Sequence, residues 1–118
     1  MLLNDDFFML QAYKEAKLAF LKNEVPIGAI IVYNNNIIAR SHNLSEKLKD
    51  FTAHAEMQVF NSASNFLQNK YLNNCILYVT LEPCIMCAGA CFWTRIGKIV
   101  YGTEDKKRGY SIVYPNIL

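Results

Sequence analysis

Two short stretches of this 118-residue chain carry residue types that can do chemistry together: His54-Ala55-Glu56 and Pro83-Cys84-Ile85-Met86-Cys87. Cys84 and Cys87 are three apart, a spacing that puts both on one face of a helix, where they can clasp one ion. Pro83 suits the first position of that helix. The thiols then fall in its first turn, where the positive end of the helix dipole lowers a thiol pKa and favours the thiolate a metal requires. His54 and Glu56 are two apart, and in the middle of a helix they would point to nearly opposite sides. They serve one site only if the end of a helix, rather than its flank, faces that site. One imidazole and two thiolates make a ligand set that suits zinc and leaves a further position for water. Zinc acidifies such a water towards neutrality, and the Glu56 carboxylate beside it can carry the proton.

Each pattern alone is weak. C-x-x-C is also a redox pair, a lone histidine is usually structural, and H-x-E by itself is close to noise. In this order, each at a helix start and with a proline before the first cysteine, they match the H-x-E and P-C-x-x-C signature of zinc nucleobase deaminases. Cys91, one turn beyond Cys87, could close a structural site of three cysteines and one histidine. It lies about 6 Å further down the helix, away from its end, and reads with Cys75 as a buried small hydrophobe. Met86, Phe92 and Trp93 read as packing residues, and His42 has no patterned partner and stays unassigned.

These side chains need elements to hold them. Asp5 to Lys22 reads as an amphipathic helix with Phe8, Ala12, Ala16, Ala19 and Phe20 on one face, and Lys14, Glu15, Lys17 and Lys22 on the remainder. Asn4 or Asp5 can cap it. Ile27 to Tyr33 and Ile37 to Arg40 read as two strands of a hairpin joined at Asn34-Asn35-Asn36. Residues 41–52 form a polar, irregular connection of the sort that often carries function. A second helix is expected from about Ala53 to Phe66, a third strand over Cys75 to Thr80, a third helix from Pro83 to about Thr94, and a fourth strand over Lys98 to Gly102. Strand, helix and strand in that order make a βαβ unit with parallel strands and a right-handed crossover. The fold class expected is α/β, a three-layer α/β/α sandwich around a mixed sheet.

Composition narrows the classes. Hydrophobic residues make up 53% and charged residues 19%, with five glycines and three prolines, which excludes a disordered, collagen-like or low-complexity chain. The length is that of a single domain, residues 1–118. The longest nearly unbroken apolar run, Pro26 to Tyr33, is far short of the roughly 18–20 residues that cross a bilayer. The acidic start, Met1-Leu-Leu-Asn-Asp-Asp6, lacks the basic region of a secretory signal. A cytoplasmic enzyme whose cysteines bind metal or pack in the core, rather than pair, is the expectation. Net charge is only +2, but residues 85–118 hold five Lys or Arg against two acids. Lys106-Lys107-Arg108 form a short basic turn that is either a solvated surface or a contact for nucleic acid.

Longer stretches sharpen the match. Glu24-Val-Pro-Ile-Gly-Ala29, Thr52-Ala-His-Ala-Glu-Met57, Leu77-Tyr-Val-Thr-Leu-Glu-Pro-Cys-Ile-Met-Cys-Ala-Gly-Ala90, Arg95-Ile-Gly-Lys-Ile-Val-Tyr-Gly102 and the following Asp105 together resemble the bacterial tRNA-specific adenosine deaminases over nearly the whole chain. The resemblance implies a cytidine-deaminase-like fold, a homodimer, one zinc per chain and conversion of adenosine to inosine at the anticodon wobble position of tRNA. Carried over by position, His54, Cys84 and Cys87 would bind zinc and Glu56 would shuttle the proton. Asn43 would contact the bound nucleoside, Ala55 would offer a backbone N–H near the base, and Asp105 would lie near the RNA backbone. Members of this family continue past the position of Leu118 with a further strand and helix, so the chain is expected to be short at its C-terminus. Two other readings stay open from the residues alone: a deaminase of cytosine or guanine with the same fold, and a non-catalytic zinc-stabilised RNA-binding module.

Overall fold

A computed structural model describes residues 3–113; the start Met1-Leu2 and the end Tyr114 to Leu118 lie outside them. The elements run α1 (Asp5–Leu21), β1 (Gly28–Tyr33), β2 (Asn36–His42), α2 (Ser45–Leu48), α3 (Ala55–Leu67), β3 (Cys75–Leu81), α4 (Ile85–Thr94), β4 (Lys98–Thr103) and α5 (Tyr110–Val113). The strands form one mixed sheet in the order β2-β1-β3-β4. β1 is antiparallel to both β2 and β3, while β3 and β4 are parallel across α4. The expected βαβ unit therefore carries the C-x-x-C helix.

Pleating sorts the sheet into two buried faces. Ile30, Val32 and Tyr78 face α1, where they pack on Phe8 and Ala12. Ala29, Ile31, Leu77 and Val79 face the other way and pack on Val59, Phe60 and Ala63 of α3 and Cys91 of α4. This is the expected three-layer α/β/α arrangement. Cys75 and Cys91 are buried and free, as expected for small core residues.

Local chemistry explains the elements. The Asn4 side chain accepts from the Phe7 N–H (3.0 Å) at the start of α1. Asn34 and Asn35 both adopt positive φ, 50° and 62°, which gives a two-residue hairpin turn whose twist matches the strands. Between Ile31 and Val32 the register on β2 jumps from Ala39 to Ile37, so Ile38 is an extra residue that bends the edge strand.

Several expectations need correction. Phe20 is not on the buried face of α1 but 67% exposed, whereas Glu15 is only 6% exposed. Its carboxylate meets His42 Nδ1 at 3.0 Å and Arg40 at 3.9 Å, both from β2, so burial follows its partners rather than the helix period. Pro83 precedes the N-cap of α4, which is Cys84, because the cap needs extended backbone that a first-turn residue lacks. Helix α3 starts at Ala55 rather than Ala53. β2 runs on to His42, and the irregular connection contains the short α2. Phe92 and Trp93 do not pack inside this chain: they are 57% and 76% exposed, because α4 buries Cys87, Ala88 and Cys91 on its other side.

Candidate active site

The metal-ligating residues arrive at helix starts, not along helix flanks. His54 is the N-cap of α3 and Cys84 the N-cap of α4, both with extended backbone. Each side chain therefore projects beyond the end of its helix, and this resolves the two-residue spacing of His54 and Glu56. The approach to α3 is fixed by a turn in which Asp50 Oδ1 accepts from the Thr52 N–H (2.8 Å) and from its hydroxyl (2.7 Å). Those bonds hold the Asp50 carboxyl below the usual carboxylate range. The Gln58 side chain donates to the carbonyls of His42 (2.8 Å) and Ala53 (3.2 Å), tying the loop to α3.

His54 Nδ1 lies 3.6 Å from Cys84 Sγ and 3.5 Å from Cys87 Sγ. Their ligand atoms all fall within 4.8 Å of one another, a group that could hold a metal ion. Cys84 is held down to about 5 by the hydrogen bond from Cys87, against the opposing effect of burial. Cys87, the donor in that pair and deeply buried, is pushed far up. A bound cation would relieve this competition by taking both as thiolates. Burial lifts Glu56, only 3% exposed, to about 7.

Asn43, His54, Ala55, Glu56, Cys84 and Asp105 all line one cavity of about 340 Å³, whose wall also includes Val25, Ile27, Leu81, Glu82 and Arg108. Cys87 is fully buried and does not line the cavity itself. Of the basic turn, Arg108 reaches this cavity, while Lys106 and Lys107 are not among its lining residues. A larger apolar groove of about 640 Å³ beside α1 shares Val25, Ile27 and Leu81 with it but is lined by no histidine, cysteine or carboxylate. We assign the chemistry to the smaller cavity.

A profile described as MafB19-like deaminase matches residues 3–116. The chain is 51% identical to a tRNA-specific adenosine deaminase of Aquifex aeolicus over 113 residues, which cover 96% of this chain and 75% of that protein. The chain belongs to the tRNA-specific adenosine deaminase family. A Bacillus subtilis member is 50% identical over 114 residues, covering 97% of this chain and 71% of its own. A solved structure from a study of A-to-I editing by tRNA:A34 deaminases at the wobble position superposes with a TM-score of 0.88 and 45% identity, over 91% of this chain and 78% of that one. A guanine deaminase of Bacillus subtilis superposes with a TM-score of 0.87 at 33% identity, over 98% and 77%. The cytidine-deaminase-like fold read from the sequence is therefore the fold of the family.

Two buried carboxylates of the site escaped the sequence reading of individual residues. Glu24 accepts from the N–H groups of Glu46 (2.9 Å) and Lys47 (2.8 Å) and so pins α2 beside Asn43. Glu82 accepts from Asp105 (3.2 Å) and Ser111 (2.9 Å) on the opposite wall. Both stand in stretches that carry the family resemblance, next to apolar residues, which is the one signal that pointed towards burial.

Proposed function

We propose that this chain is a zinc-dependent hydrolase that converts adenosine to inosine at the wobble position of a tRNA anticodon. The observation that carries the reading is the meeting of His54, Cys84 and Cys87 with the buried Glu56 at one cavity, in a chain half identical to tRNA-specific adenosine deaminases. Tetrahedral zinc with ordinary bond lengths sets its nitrogen and sulfur ligands about 3.5 Å apart. The separations of 3.5 and 3.6 Å fit that value.

His54 Nδ1 and the thiolates of Cys84 and Cys87 would hold the ion, and the chemistry it supplies when bound is an acidified water. Glu56 takes one proton from the attacking water and delivers it to the adenine ring nitrogen, then takes the remaining proton from the added oxygen and passes it to the leaving amine. Water and adenosine become inosine and ammonia. As the first residue of α3, Ala55 has an N–H without an intrahelical partner, and that N–H faces the base. Asn43 holds the nucleoside against the opposite wall, and Asp105 lies by the RNA backbone. The adenine must leave its stack to reach a cavity of this size. A cytoplasmic location and a homodimer complete the reading, and the exposed Phe92 and Trp93 of α4 favour self-association through that helix.

The test presents an anticodon stem-loop RNA, free adenosine, cytidine and guanine separately to the zinc-loaded protein. Inosine from the stem-loop is expected, with at least ~10²-fold loss in Glu56→Gln at unchanged metal content. Product from guanine or cytidine instead would make this a deaminase of another base. Binding of RNA without any product would make it a binding module.

A further inference from the structure

Both ends of the segment 105–111 are fastened to one buried carboxylate. Glu82 follows β3 directly and is only 2% exposed. Its backbone N–H donates to the Thr103 carbonyl at the end of β4 (2.8 Å). Oε1 accepts from the Asp105 N–H (3.2 Å), and Oε2 accepts from the Ser111 N–H (2.9 Å) and from the Ser111 hydroxyl. Gly109 passes so close that a Cβ there would lie 2.5 Å from the Glu82 carboxyl and 2.6 Å from the Asp105 carbonyl oxygen. The Tyr110 N–H donates to the Pro83 carbonyl (2.9 Å), and Gly109 bridges to Cys84. Between the two anchors, Asp105 Oδ1 accepts from the N–H groups of Lys107 and Arg108 (3.0 Å each).

Among the described residues no basic side chain forms an ion pair with Glu82. A buried carboxylate is costly unless its oxygens are hydrogen-bonded, and here the donors all come from the segment 105–111. Its burial and the docked segment therefore require each other. The consequence falls on Asp105 and Arg108, the two residues of the segment that line the cavity.

We propose that Glu82 is a positioning residue that holds the segment 105–111 as a preformed wall of the cavity, so that Arg108 meets the phosphate of a nucleotide flanking the target base. The assignment rests on the RNA reading given above. Glu82 acts through the segment and touches no reacting atom, so it governs capture of the RNA rather than turnover. A preformed loop spares the ordering cost of binding.

The experiment compares parent, Glu82→Gln, Ser111→Ala, Arg108→Ala and the Glu82→Gln/Arg108→Ala pair on an anticodon stem-loop RNA, with zinc content checked in each. Glutamine replaces one acceptor oxygen by an amide donor, so at least one donor of the segment faces another donor. KM is expected to rise about threefold to tenfold in Glu82→Gln and less in Ser111→Ala, the range for lost hydrogen bonds, with kcat within about twofold. Arg108→Ala should cost little once Glu82 is replaced, because a displaced Arg108 no longer contributes. Amide hydrogen exchange at Asp105 and Ser111 should be at least tenfold faster in Glu82→Gln at full zinc occupancy. Unchanged KM in both Glu82→Gln and Ser111→Ala, a fall confined to kcat, or penalties of Glu82 and Arg108 that simply multiply would overturn the assignment. A parent inactive on RNA would refute the substrate reading, and unaltered exchange in Glu82→Gln would then still refute the ordering role.

Discussion

Gly28 sets how closely α1 lies on the sheet, and adding one methyl group there should be felt throughout the fold. A Cβ at this position would stand 2.1 Å from the Ala12 carbonyl oxygen, 2.4 Å from the Ala16 nitrogen and 2.7 Å from the Glu15 Cβ. The first two are helix backbone, so no side chain can turn away, and α1 must retreat by about 1 Å to restore contact distances. That retreat opens the packing of Phe8 and Ala12 on Ile30, Val32 and Tyr78 and stretches the 3.0 Å contact between Glu15 and His42. Overpacking a well-filled core costs about 1–3 kcal/mol and occasionally more, and rigid backbone on two sides puts Gly28→Ala at the upper end, about 3 kcal/mol. For a domain of this size that corresponds to a fall in Tm of roughly 10–15 °C. Gly89 is the internal control, since a Cβ there meets nothing within 4 Å in the middle of α4. Gly89→Ala should stabilise by about 0.5–1 kcal/mol through backbone entropy. Thermal unfolding of the metal-loaded protein, followed by circular dichroism, measures both. A Gly28→Ala Tm within 2–3 °C (about 0.5 kcal/mol) of the parent would refute the close approach of α1.

Three further outcomes follow from the site and the surface. Protein purified without added metal should carry about one equivalent of zinc, and the Cys84→Ala/Cys87→Ala double variant should lose it; retained zinc or bound iron would refute the ligand set. Activity on an RNA loop should fall with salt below saturation, and replacing Lys106, Lys107 and Arg108 by alanine should flatten the logarithmic slope by at most about 2; coincident slopes would make the turn a solvated surface. Sedimentation at micromolar concentration should show a dimer that Trp93→Ser weakens, and a monomeric parent would refute self-association.

The metal group was legible because it needs uncommon residue types at fixed spacing, and the spacing says where on a helix they stand. His54 two before Glu56 already demanded a helix end, and the N-cap conformation of His54 supplies it. The layering was legible too, since Ile27 to Tyr33 and Cys75 to Val79 are apolar without alternation, as strands buried on both faces must be. Glu15 was not legible. Its partners Arg40 and His42 stand on another element, and nothing local to an alanine-rich helix announces them. Glu82 was hidden for a different reason: its partners are mostly backbone N–H groups, which every residue but proline possesses, so only the folded path of residues 105–111 reveals them. Asn43 and Asp105 came from family resemblance rather than from spacing, and the cavity brings both to the metal group. Phe92 and Trp93 misled because hydrophobicity says that a residue avoids water, not which surface shields it.

The topology explains why these pieces meet at one place. β3 and β4 are parallel, so both end at the same edge of the sheet. β3 leads there into Glu82, Pro83 and Cys84, and β4 leads into Glu104 and Asp105. Ligand sites of such sheets lie beyond the carboxyl ends of parallel strands. The antiparallel β1 begins at that same edge, with Gly28 opposite His42, which brings Glu24, Val25 and Asn43 to the third side. The N-terminus of α3 closes the fourth side with His54 and Glu56. Two helix N-termini aimed at the group of His54, Cys84 and Cys87 favour thiolates there through their dipoles, and a bound divalent ion would offset the rest of their charge. The imidazole nitrogen and two sulfurs that this edge of the sheet gathers within 4.8 Å of one another are the donor atoms that suit such an ion.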